Sequence, residues 1–168
     1  GKTDILSIFL RYVILILLSF KGLYLFYTIF FFLTAYPLLF LLNLFYSASL
    51  SGNILIINDV GIKLVNACIA GSAYYFLLIL NLTTPMKLKK RVYSIIFSFL
   101  CLLILNIIRI FVFSILFLND FSFFDAAHKL FWYGLSTVFV VAIWFLTIKL
   151  FRIKEIPVYS DVRKVIYL

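Results

Sequence analysis

Three long apolar runs constrain the fold of this chain more than any other feature. Residues 23–46, 92–118 and 126–150 consist mainly of Leu, Ile, Val and Phe. A helix of about 20 such residues crosses the hydrocarbon core of a bilayer. The chain of 168 residues is 66% hydrophobic and 12% charged, whereas soluble domains are about half apolar and a quarter charged. The sequence therefore predicts an integral membrane protein.

Two shorter apolar runs, residues 5–20 and 67–83, bring the expected number of spans to about five. The first is interrupted by Arg11 and ends at Lys21-Gly22. It either spans or lies at the interface with Arg11 reaching water, and we favour spanning. The predicted fold is an all-α bundle of about five transmembrane helices, formed by a single domain, residues 1–168, with a cytoplasmic tail, residues 151–168.

The formal net charge of +9 could indicate a nucleic-acid partner, but no basic patch stands on a soluble domain. The basic residues instead flank the apolar runs, as the positive-inside bias expects. They place residues 87–91 and 149–154 in the cytoplasm and residues 119–125 outside. The sequence predicts a multi-pass plasma-membrane protein that does not bind nucleic acid.

A turn-rich segment, residues 47–65, precedes the third span. Residues 54–57 are a short β-prone run, Asn58-Asp59-Val60-Gly61 has turn composition, and residues 62–65 form a second short run. Residues 47–52 have the composition of a loop. The pattern predicts a small extracytoplasmic hairpin, and an irregular loop is the alternative.

Three residues are costly in lipid and are therefore candidate functional groups: Cys68, Arg109 and His128. The topology places the helix ends that carry them on the outer side of the membrane. Asn66 is a good N-cap residue, which would put Cys68 in the first turn of its helix, and Asp125 would do the same for His128. The helix dipole would then favour the thiolate.

A thiol, an imidazole and a guanidinium together are the parts of a cysteine-nucleophile acyl-transfer site. His128 could accept the thiol proton and return it to a leaving amine. Arg109 could hold a substrate carbonyl or a developing oxyanion. Each residue alone also has a structural explanation, and Cys101, within an apolar run, is expected to be packing material. Two candidate ligands are too few for zinc, so neither a metal nor a cofactor is expected.

The depth of Arg109 fits this site poorly. Arg109 precedes Leu118 by nine residues, which places it about 14 Å down the helix. Either the fourth span ends before residue 118, or the site is a recessed, wet cavity.

At these residues the chain resembles the exosortase and archaeosortase family of membrane transpeptidases. The matching positions, in chain order, are Ala67/Cys68/Gly71, Asn106/Arg109 and His128. The resemblance covers roughly residues 40 to 150, and the chain departs from the family in Ile69-Ala70 and in its small size, which is more like compact archaeal forms.

The resemblance implies cleavage of C-terminal sorting tails on secreted surface proteins. It implies an acyl-enzyme on Cys68 that a second nucleophile, a membrane lipid, resolves. Two other functions stay open at this stage. The chain could be a non-enzymatic membrane subunit in which the three residues are structural, or a small transporter with Asn106 and Arg109 along its path.

The topology yields a labelling prediction. In a cysteine-free background, a cysteine at Ser122 should react with an impermeant thiol reagent added outside intact cells, and one at Lys89 should not. The basic cluster around Lys89 holds that loop in the cytoplasm. Equal labelling of both from outside would contradict the predicted orientation.

Overall fold

The computed structural model describes residues 2–119, 123, 126, 129–130 and 136–166, with the side chains of residues 2–4, 21–22 and 164 excepted. In this part of the chain, helices predominate and a small antiparallel sheet lies between the first and second of them. The elements in chain order are α1 Lys2–Asn43, β1 Ala48–Ser51, β2 Ile54–Ile57, β3 Val60–Lys63, α2 Asn66–Ile69, α3 Gly71–Leu82, α4 Leu88–Leu118, α5 Ser136–Leu150 and α6 Tyr159–Ile166.

Helix α1 is continuous over 42 residues, so the predicted break at Lys21-Gly22 between spans 5–20 and 23–46 is wrong. One glycine inside a helix costs only about 1 kcal/mol, which the packing of α1 against α3 and α4 can offset. Pro37 also lies within α1. At about 1.5 Å per residue, a helix of 42 residues is about 63 Å long, twice the thickness of a hydrocarbon core.

Arg11 is buried, with 7% of its surface exposed. Neither predicted alternative, a spanning segment or an interfacial one with Arg11 reaching water, identified its partners. Its guanidinium donates to the carbonyl of Leu82 at 2.7 Å and to the Asp161 carboxylate at 2.8 Å. Asp161 belongs to α6 and is 2% exposed. The predicted tail, residues 151–168, therefore contains a helix, α6, which contacts α1 through this ion pair.

The turn-rich segment forms a three-stranded antiparallel sheet in the order β1-β2-β3. Strands β2 and β3 confirm a hairpin, but its second strand begins at Val60 instead of residue 62. The turn therefore consists of Asn58 and Asp59, with φ of 45° and 68°. Such left-handed conformations favour Asn and Asp in two-residue hairpin turns. Strand β1 was missed because its serines have loop composition, whereas in the fold Ala48 and Leu50 pack against an apolar cluster.

Two apolar clusters hold the elements together. In the first, Tyr74 of α3 stacks on Phe30 of α1 with ring centroids 3.5 Å apart, and α4 and α5 close around them. In the second, the sheet packs against the C-terminal half of α1 and the last third of α4. Its buried members are Ala35, Leu38, Leu42, Leu55, Ile57, Leu64, Ile107 and Ile110.

Helix α4 has the reverse of the pattern expected for a soluble helix. Large apolar side chains such as Leu100, Ile104 and Ile108 are exposed, whereas Ser94, Ser98 and Asn106 are buried. Two segments, Leu23–Asn43 and Leu88–Leu118, are long and apolar enough to cross a membrane by length and composition, and Ile5–Phe20, Gly71–Leu82 and Ser136–Leu150 are shorter apolar helices. The predominance of helix is confirmed, and five spans remain a prediction.

The ion pair between Arg11 and Asp161 yields a stability prediction. Asp161→Ala leaves the Arg11 charge buried and unpaired, so it should lower the free energy of unfolding by about 3–5 kcal/mol. Denaturant titration of the purified protein in mixed micelles would measure this.

The matched control is Arg163→Ala, on the same helix but at an exposed position, which should change stability by less than about 0.5 kcal/mol. The double variant Arg11→Met/Asp161→Leu should regain most of the loss, because neither charge then remains buried. Equal stabilities of Asp161→Ala and Arg163→Ala would contradict a stabilising role for the ion pair between Arg11 and Asp161.

Candidate active site

Cys68 lies on a single helical turn rather than in a long helix. Helix α2 ends at Ile69, Ala70 adopts the left-handed conformation with φ 57° and ψ 35°, and α3 begins at Gly71. The predicted third span, residues 67–83, is therefore two helices rather than one, and its crossing of a membrane stays a prediction. The left-handed residue changes the chain direction immediately after Cys68 and breaks the run of i to i−4 hydrogen bonds.

The prediction that Asn66 caps this helix is also wrong. Val65 occupies the N-cap position without a side-chain hydrogen bond, and Asn66 is the first helical residue. The Cys68 N–H donates to the carbonyl of Val65 at 2.8 Å. Because a turn of four residues aligns few peptide dipoles, the expected help of a helix dipole to the thiolate has little basis here.

Gly71 allows α1 to approach this turn closely. A Cβ atom at Gly71 would lie 2.7 Å from two ring carbons of Tyr27. Those atoms belong to the body of the ring, which would have to move as a whole. The glycine thus acts by letting the Tyr27 ring pack against the turn, and the sequence had indicated only a small-residue surface.

Asn106 and Arg109 hold the carbonyl groups that the broken helix leaves without intrahelical partners. Asn106 Nδ2 donates to the Cys68 carbonyl at 2.8 Å. Arg109 Nη2 lies 3.3 Å from the carbonyl oxygens of both Ala67 and Cys68. Carbonyls at a helix end need outside donors, and residues three apart on α4 share a face. The two predicted residues therefore act together on the backbone of the cysteine turn.

Ser136 is a site residue that the sequence did not reveal. Arg109 Nη1 donates to Ser136 Oγ at 2.8 Å, so the first described turn of α5 also contacts the guanidinium. A serine at the edge of an apolar run is too common to single out. Only the fold shows that it lies opposite Arg109.

A cavity of about 490 Å³ opens beside Cys68, and we name it the Cys68 cavity. This volume lies within the range of about 300–1,000 Å³ typical of ligand sites. Lys63 and Arg109 supply its two cationic side chains, and its described lining residues include no acid. The lining residues are Gly61, Ile62, Lys63, Leu64, Val65, Ala67, Cys68, Ala70, Ser72, Ala73, Arg109, Ile110, Phe113, Ser114, Phe117 and Ser136.

The depth of Arg109 is explained by this cavity. Helix α4 continues to Leu118 as predicted, so Arg109 and Cys68 lie about 14 Å below its end. Of the two alternatives for Arg109, the recessed cavity is the observed one. The thiol of Cys68 is half-buried and free, and Cys101, also free, packs against the first apolar cluster.

His128 and Asp125 lie outside the described residues, so their predicted places at the site stay predictions. Within the described part of the chain, no group of three His, Cys, Asp or Glu side chains could hold a metal ion. No protein-family model, curated protein or solved structure matches this chain.

The hydrogen bond from Asn106 yields a prediction for the cysteine turn. Asn106→Leu keeps the volume but removes a donor from the Cys68 carbonyl, so it should destabilise the fold by about 1–3 kcal/mol. Loosening of the turn should also speed maleimide labelling of Cys68, measured in a Cys101→Ala background.

Asn119→Leu is the matched control, since Asn119 is exposed and its side chain donates to the Ile115 carbonyl of its own helix end. It should leave both stability and labelling nearly unchanged. If Asn106→Leu behaves like this control, the bond to Cys68 does not hold the turn.

Proposed function

We propose that this chain is a membrane-embedded cysteine transpeptidase of the exosortase and archaeosortase type. The observation that carries the proposal is that the side chains of Asn106 and Arg109 donate hydrogen bonds to the Cys68 carbonyl. This carbonyl lies at the wall of a cavity large enough for a ligand. Its substrates would be the C-terminal sorting tails of secreted proteins, and a membrane lipid would be the acceptor.

In the proposed reaction, the Cys68 sulfur attacks the carbonyl carbon of the scissile peptide bond and its proton passes to His128. The tetrahedral intermediate collapses to a thioester as the leaving amine takes that proton from His128. An amine or hydroxyl group of the lipid, or water, then attacks the thioester and releases the thiol. No cofactor is needed for any of these steps.

Arg109 has a twofold role in this proposal. Its hydrogen bonds to Ala67 and Cys68 fix the turn on which the nucleophile sits. Its positive charge, held beside the cysteine turn by these bonds, would stabilise the oxyanion of the tetrahedral intermediate. The Arg109 guanidinium donates to Ser136 and to the carbonyls of Ala67 and Cys68, and these three bonds keep it beside the cysteine turn.

We place the chain in the plasma membrane as a bundle of about five spans with the Cys68 cavity toward the outer side. The exposed apolar stripe of α4 supports contact with lipid, and the basic residues at the start of α4 and the end of α5 support the orientation. Substrate tail and lipid acceptor could then both reach the cavity laterally through the bilayer.

A non-enzymatic membrane subunit is the second candidate function. It is favoured by the same bonds, because Asn106 and Arg109 satisfy backbone carbonyls and would be needed for folding alone. A transporter is less well supported. The buried polar residues Asn81, Ser94 and Ser98 bond to one another, and the described lining of the Cys68 cavity does not include them.

The test is co-expression with candidate tail-bearing proteins, whose masses report processing. Cys68→Ala should abolish processing and leave the protein folded in the membrane, and His128→Ala should do nearly as much. Arg109→Lys should also fail, since a point charge does not replace a planar fork of donors.

Cys101→Ala is the control and should process at the normal rate, because Cys101 packs away from the cavity. Unchanged processing by Cys68→Ala would rule out the nucleophile. A folded protein that processes no tail in any form would favour the subunit instead.

A further inference from the structure

Strand β3 presents an unpaired edge to the Cys68 cavity. In the sheet order β1-β2-β3, β3 has a strand neighbour on one side only among the described residues. Five consecutive residues, 61–65, line the cavity on its other side. The backbone of the strand therefore forms one wall of the cavity, and the last third of α4 forms the opposite wall.

The register shows which backbone groups face this cavity. The Leu64 N–H donates to the Asn53 carbonyl at 2.8 Å, and the pairing continues as Lys63 with Ile54 and Gly61 with Ile56. Bonded and non-bonded pairs alternate in an antiparallel ladder. Because Leu64 is in a bonded pair, Ile62 bonds toward β2, and Gly61 and Lys63 direct their N–H and C=O groups to the free edge.

Gly61 and Lys63 are exposed, so a ligand in the cavity can reach these groups, and an edge of free N–H and C=O groups is a template for pairing with another chain. Neither Gly61 nor Lys63 has a backbone partner across the free edge among the described residues. The cavity therefore offers free backbone N–H and C=O groups on the wall formed by β3, together with the cations of Lys63 and Arg109.

We propose that an extended peptide binds in the Cys68 cavity as a fourth strand on the edge of β3. Backbone pairing with Gly61 and Lys63 would supply affinity, and the apolar wall of α4 would select alternate side chains. Peptide carbonyl oxygens are acceptors for the Lys63 ammonium group, and the described lining residues include no acid that would compete with them. The inference rests on the proposed function, for which it names the way the substrate tail is held.

The chain path links this binding site to the nucleophile. Strand β3 ends at Lys63, and only Leu64 and Val65 separate it from α2, which carries Cys68. A peptide paired along β3 therefore leads its next carbonyl toward the thiol. An acyl chain could fill the apolar wall, but it would leave the polar groups of Gly61 and Lys63 unpaired.

The test measures peptide binding without cleavage. Full-length Cys68→Ala protein in nanodiscs is titrated with fluorescent 12-residue peptides tiled over the C-terminal segments of the source organism's secreted proteins. The tightest peptide is then N-methylated at one position at a time. Strand pairing predicts losses of about fivefold to tenfold at every second position and little change between them. Absence of peptide binding, or losses without this alternation, would overturn the proposal.

A matched pair of variants tests the edge itself. Gly61→Pro removes an N–H that β2 does not use, a position where an edge strand tolerates proline, and should weaken the peptide about tenfold. Gly61→Ala keeps the N–H, and its Cβ would lie 3.4 Å from the nearest atom of Ile54, so affinity should stay within about twofold. Equal peptide affinities of the two variants would overturn the proposal. It would also be overturned if Gly61→Pro dissociated a dimer of this chain and left the peptide affinity unchanged.

The outcome is separable from that of the proposed function. If peptide affinity falls at every second N-methylated position but the unsubstituted protein cleaves no tail, the peptide-binding site is supported and the peptidase function is ruled out. Tail processing that depends on Cys68 but is indifferent to Gly61→Pro would keep the peptidase and reject the paired strand.

Discussion

The interruption at Ala70 is the feature on which the candidate site depends. Had α2 and α3 formed one helix, the carbonyls of Ala67 and Cys68 would have bonded to the next turn and needed nothing from α4. The left-handed residue releases them, and Asn106 and Arg109 supply the missing donors. The positions of Asn106 and Arg109 on α4 are therefore explained by a backbone irregularity in another helix.

That irregularity also determines where the sheet can lie. The chain enters α2 directly from β3, so holding the cysteine turn against α4 draws the edge of β3 toward the same helix. The sheet in turn buries Leu55 and Ile57 against α1 and α4. A cavity remains between the edge of β3 and the last third of α4.

Short-range patterns and the cost of polar groups in lipid accounted for part of this arrangement. They identified the turn that contains Asn58-Asp59 and the strand at Ile54–Ile57. They also identified Asn106 and Arg109 as unusual residues within an apolar helix. They could not identify partners distant in sequence. The buried bond from Arg11 to Asp161, the contact of Arg109 with Ser136 and the left-handed conformation of Ala70 all follow from tertiary packing, which also made Asn66 helical instead of a cap.

The ion pair between Arg11 and Asp161 has a consequence for biosynthesis. The two residues are 150 positions apart, so at about 5–20 residues per second the ribosome needs roughly 8–30 s to make the second after the first. During that interval the Arg11 guanidinium has no Asp161 carboxylate to pair with. The N-terminal part of α1 can therefore complete its contact with α6 only after nearly the whole chain has been made.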